Sequence, residues 1–124
     1  MIIDHQQDPK KTKEKIAELE NGLSLWKVGI DMLREMDKNA RVMESEKFEL
    51  LKEIIEEDKR LESLPLVTIK KDGRGEFLII SGHHRTRAAR MAGLQQIHVL
   101  VDENELTLDQ IKSKQLSALP HQSN

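Results

Sequence analysis

At 124 residues, 37% of them hydrophobic, the chain has the size of one domain with a modest core. Its formal net charge of −2 argues against indiscriminate nucleic-acid binding by the whole surface, so contacts with phosphate must come from local patches. The lack of cysteine excludes disulfides, thiolate zinc sites and a cysteine nucleophile, and with neither a membrane-length apolar run nor a positively led apolar leader, a cytoplasmic protein is expected.

Residues 1–7 carry no periodic signal. Asp8-Pro9 offers an N-cap and a proline at the first helical position, and Ile16, Leu19 and Leu23 recur at helical spacing, so a helix is expected over residues 9–20, stopping at Asn21-Gly22. Lys10, Lys11, Lys13 and Lys15 make its start basic, as in a solvated face. Trp26, Phe48 and Phe77 are the only aromatics, which leaves few platforms for base stacking and makes Trp26 a core or interface anchor. Imperfect alternation over residues 27–33 reads as a first strand, followed by a polar loop over residues 34–41.

From Ser45 the residues Phe48, Leu51, Ile54, Ile55 and Leu61 mark one face of a helix over residues 45–60, with Glu46, Glu49, Glu53, Glu56 and Glu57 on the wet side. Pro65 ends it. Two β-prone runs, residues 66–70 and 76–80, flank a loop with Asp72-Gly73 and Gly75 and read as a hairpin. The consecutive Ile79-Ile80 expects cover on both faces. A helix over residues 83–91 stops at Gly93, a strand follows over residues 97–101 with His98 as an ordinary sheet residue, and Thr107 with Gln110 forms a capping box opening a last helix over residues 108–116.

The chemistry concentrates at Ser81-Gly82-His83-His84-Arg85-Thr86-Arg87. A glycine turns the chain from strand into helix, the leading helical amides lack internal acceptors, and Arg85, Arg87 and Arg90 follow with no acidic residue between. Dipole, amides and guanidinium groups all favour an anion, above all a phosphate. No third ligand stands beside the two histidines, so no metal site is expected there.

Gly82-His83-His84-Arg85-Thr86-Arg87-Ala88-Ala89, with Ala92-Gly93-Leu94, resembles the Gly-Glu-Arg-Arg-x-Arg-Ala-Ala-x-x-Ala-Gly-Leu signature of the ParB family. It is also similar to the Gly-Cys-His-Arg segment of sulfiredoxins, which share that fold, and to the Gly-His-His-Arg variant of small ParB-like proteins. Sulfiredoxin chemistry is excluded, because His83 stands where that cysteine would be. In the family an Asn-x-x-x-Pro-Arg type of pattern follows the first strand; here Asn39-Ala40-Arg41 has no proline.

The resemblance implies an α+β, ParB/sulfiredoxin-like fold with a small mixed sheet of about four strands flanked by helices. It divides the chain into an N-terminal helical extension at residues 1–25, the domain at 26–117 and a tail at 118–124. It further implies a nucleoside triphosphate, CTP or ATP, with Mg2+ recruited mostly by the phosphates, which would be held by Ser81, Gly82, His83, His84, Arg85, Thr86 and Arg87. DNA partitioning or regulation is the implied setting, with Arg34, Asn39 and Arg41 as further phosphate or DNA contacts, and a homodimer is a partner to expect. The alternative is an enzyme on the same fold, namely a nucleotidase, a small-molecule kinase such as a free-serine kinase, or a nuclease. It would use Glu35 or Asp37 as general base.

Overall fold

The computed structural model describes residues 8–35 and 45–118. Its organising layer is a mixed sheet of six strands, β1 (Lys13–Glu18), β2 (Leu23–Gly29), β3 (Leu33–Arg34), β4 (Leu66–Ile69), β5 (Phe77–Ser81) and β6 (Gln96–Asp102), in the order β1-β2-β6-β4-β5-β3. Three α-helices among the described residues, α1 (Ser45–Asp58), α2 (His83–Met91) and α3 (Leu108–Ala118), pack around it. The fold class is as expected, with six strands in place of about four.

The additional strands come from the first third of the chain. The expected helix over residues 9–20 is instead a short 3-10 turn, Pro9–Lys11, capped by the Asp8 carboxylate, followed by β1. Asn21 and Gly22 do not end a helix. With φ of +58° and +84°, and Leu23 N–H donating to Glu20 O at 3.1 Å, they form the left-handed pair of a type I′ hairpin turn joining β1 to β2. β1 is an edge strand whose side chains are almost all exposed, and its charges and the register shift between Lys15 and Ala17 are devices that discourage pairing with another sheet. The first expected strand likewise begins earlier, at Leu23, and breaks at a 3-10 turn, Ile30–Met32, before β3.

Alternation along the strands decides the two faces. Val28, Val99, Val101, Val67, Ile79 and Phe77 point to one side, where Ile55 of α1 and Ala88 and Ala89 of α2 complete the main core. Trp26 packs against that core with its ring edge-on to Phe77, centroids 5.5 Å apart. On the other side Ile80, Leu66 and Leu78 meet Leu106 and Ile111 beside α3, so Ile79 and Ile80 are each covered on their own face as the sequence implied.

β4 and β5 form the expected antiparallel hairpin, and Leu66 stands opposite Ser81. The residue before Leu66, Pro65, is therefore carried to the mouth of the turn that follows Ser81.

Candidate functional site at the turn from β5 into α2

Gly82 is the hinge of the site. Its φ of +95° and ψ of 25° lie in the left-handed region that side chains disfavour, and a Cβ built there would come within 2.9 Å of the Cα and Cβ of Pro65. Glycine is required here twice over, by torsion and by space. The Gly82 carbonyl accepts from both the amide and the hydroxyl of Thr86, each at 2.9 Å, which fastens the first turn of α2 with a fully buried threonine. Further along, Ala88 and Ala89, both completely buried, let the helix lie close against its neighbours. Gly93, at φ +88°, closes it in a Schellman arrangement with Leu94 N–H on Ala89 O at 3.0 Å and Gly93 N–H on Arg90 O at 3.1 Å.

At the leading end of α2, no side chain among the described residues accepts from the amides of His83 or Arg85. Arg85 is exposed and makes no ion pair among the described residues. His83 is half-buried, and its Nε2 is a buried polar atom without a hydrogen-bond partner among the described residues. Burial holds the imidazole below its ordinary value of 6.5, with Arg87 and His84 adding in the same direction and Glu35 opposing. It is therefore neutral at physiological pH, one ring nitrogen carrying the proton and the other a lone pair able to accept.

Arg34, Arg87 and Arg90 are committed to the protein itself. Arg87 grips Glu35 in a two-pronged ion pair, Nε to Oε2 at 2.9 Å and Nη2 to Oε1 at 2.6 Å, each side chain about one-third exposed (32% and 30%). The guanidinium holds the Glu35 carboxyl below the ordinary carboxylate value. Arg90 donates through Nη2 to the Ile30 carbonyl at 3.1 Å, and Arg34 pairs with Glu76 at 2.8 Å. Asp37, Asn39 and Arg41 lie outside the described residues. Among the described residues no group of three metal-ligating side chains converges, and no helix is long and apolar enough to cross a membrane.

The structure thus gathers Ser81, Gly82, His83, His84 and Arg85 at one pole, with Thr86 bonding back beneath them and Glu35 clamped to Arg87 alongside. Sequence reasoning missed Pro65, whose contact with Gly82 shapes the turn. The signal was present in its position just before a strand that must run antiparallel to β5.

The ParB N-terminal domain family matches residues 10–116 of the chain. No match is found among curated protein sequences. Among solved structures the chain is similar to the C-terminally truncated chromosome-partitioning protein ParB from Caulobacter crescentus complexed with CTP-γ-S. The identity is 28% and the TM-score 0.63, over 74% of this chain and 50% of that one. It is also similar to the same partitioning protein complexed to the centromeric parS site, at 32% identity and a TM-score of 0.56, over 64% of this chain and 40% of that one. The chain spans half or less of the length of those proteins. A family match over residues 10–116, most of the chain, leads to one conclusion: this chain belongs to the ParB N-terminal domain family.

Proposed function

We propose that this domain binds a nucleotide through its phosphates at the turn from β5 into α2. The observation that carries the reading is the left-handed Gly82 wedged against Pro65, which presents the start of α2 and the exposed Arg85, without an ion pair among the described residues, to solvent. A phosphate there gains helix-terminal N–H donors, the positive end of the dipole and a charged fork together. The CTP-γ-S complex of the Caulobacter protein supports a cytidine nucleotide as the first ligand to try.

Ser81, Gly82, His83, His84 and Arg85 line the phosphates in this reading, and Mg2+ is recruited by the phosphates themselves. Thr86 fixes the turn, while Arg87, tied to Glu35, steadies the exposed side of the helix. DNA partitioning or regulation is the setting this activity fits, since the second Caulobacter structure holds parS DNA. The enzymatic alternative gains no support from Glu35: a carboxylate kept ionised by a two-pronged guanidinium is a weak base at neutral pH.

Calorimetric titration with CTP, ATP, ADP and GTP in the presence of magnesium tests the proposal. Binding of at least one is expected, and Arg85→Ala should weaken it by about 1.5–3 kcal/mol, roughly ten- to more than a hundredfold. Absence of heat with all four, in protein shown to be folded, would refute it. Unchanged affinity in Arg85→Ala would place the phosphates elsewhere.

A further inference from the structure

A second concavity, which shares no lining residue with the Gly82 turn, lies where the segment after α1 passes the start of β6. It is a cleft of about 430 Å³ lined by Leu25 and Lys27 of β2, by Gln96, Ile97 and His98 of β6, and by residues 59–61 and 64. Leu61 and Ile97, both almost fully buried, belong to an apolar floor that Leu25 and Leu64 extend, and around it stand Lys27, Lys59, Arg60 and His98. No carboxylate is among the lining residues.

Lys27 and His98 are partners in the β2–β6 ladder, and like Lys59 they make no side-chain bond among the described residues. Arg60 touches Glu62 at 3.4 Å, but both side chains are about two-thirds exposed, a pair that an incoming anion can replace at small cost. Lys59 has φ +61° at the end of α1, with its amide on Ile55 O at 2.8 Å. Glycine would hold that left-handed position without strain. The carbonyl end of α1 explains a cation at Lys59, yet it does not explain Lys27 on β2.

We propose that this cleft is a ligand site separate from the Gly82 turn, and that it takes a small organic phosphate with an apolar body. Its volume lies within the range of ordinary small-ligand pockets, and an apolar floor with a few charged groups at the edge is their usual construction. Duplex DNA, a convex polyanion, does not fill a concavity with an apolar floor, and the lining offers no Phe, Tyr or Trp ring on which the bases of a single strand would stack.

Phenyl phosphate is the probe, titrated into the full chain labelled with nitrogen-15 and followed residue by residue by NMR. Saturating shifts are expected at the amides of Lys27, Lys59, Arg60 and His98, with inorganic phosphate binding more weakly. The double variant Lys27→Gln/Lys59→Gln should weaken phenyl phosphate tenfold or more, one decade being about 1.4 kcal/mol. The single variant Arg60→Gln should weaken it in the same direction and serves if the double variant fails to fold. The proposal is overturned if these amides do not respond, if matched sodium chloride produces the same shifts, or if the variants leave the affinity unchanged. A DNA duplex that moves the same amides at lower concentration than phenyl phosphate would also overturn it, by making the nucleic-acid backbone the ligand.

Discussion

Gly82 carries two constraints that a single methyl group violates together, a φ of +95° and a backbone neighbour 2.9 Å from the methyl position. Gly82→Ala should therefore destabilise the domain by about 1–3 kcal/mol in chemical denaturation, and a wild-type midpoint would show that the turn relaxes freely. Burial also shifts the titration of His83. Its folded-state value is depressed, so the unfolded chain binds the extra proton. The stability tied to His83 is fully present above its ordinary value of about 6.5 and is lost as pH falls through the folded-state value. His83→Gln removes that proton from the balance. The thermal midpoint of the variant should fall less steeply than wild type as the pH is lowered below about 6.5, and parallel curves would mean that His83 is not desolvated in solution.

Local sequence is a better guide to some elements than to others. α2 was legible to the residue, because Gly82 and Gly93 mark its two ends through the backbone torsions of their own positions. The capping box of α3 was equally local: Gln110 N–H donates to the Thr107 hydroxyl at 3.1 Å and Thr107 N–H to the Gln110 side chain at 2.8 Å. β1 was not legible. Lys, Glu and Ala favour helix in isolation, and an exposed edge strand supplies no buried face to reveal its alternation; only the ladder to β2 decides it. Asn-Gly serves a helix end and a type I′ turn equally well, so it did not arbitrate. Asn21→Ala, which puts alanine at φ +58°, should destabilise the β1–β2 hairpin by about 1–2 kcal/mol, read as faster amide exchange along both strands. Exchange unchanged from wild type would show that the turn contributes little to the pairing.

Over the whole molecule, the sheet converts neighbours in space from residues far apart in the chain. Antiparallel pairing of β4 with β5 brings Pro65 to Gly82, and the end of β3 brings Glu35 to Arg87, a separation of 52 residues. For this reason the glycine-led motif could be found by reading along the chain, while its wall and the partner of its second arginine could not. The same architecture sorts the basic residues. Arg34, Arg87 and Arg90 are bound into the structure, and Arg85 is left facing solvent at the turn. The central claim is that this turn holds nucleotide phosphates, and residue-resolved NMR during titration with CTP and magnesium addresses it directly. The largest amide shifts should fall on Gly82, His83 and Arg85, with the main-core strands unmoved. Saturable shifts centred elsewhere, or none at all in folded protein, would contradict it.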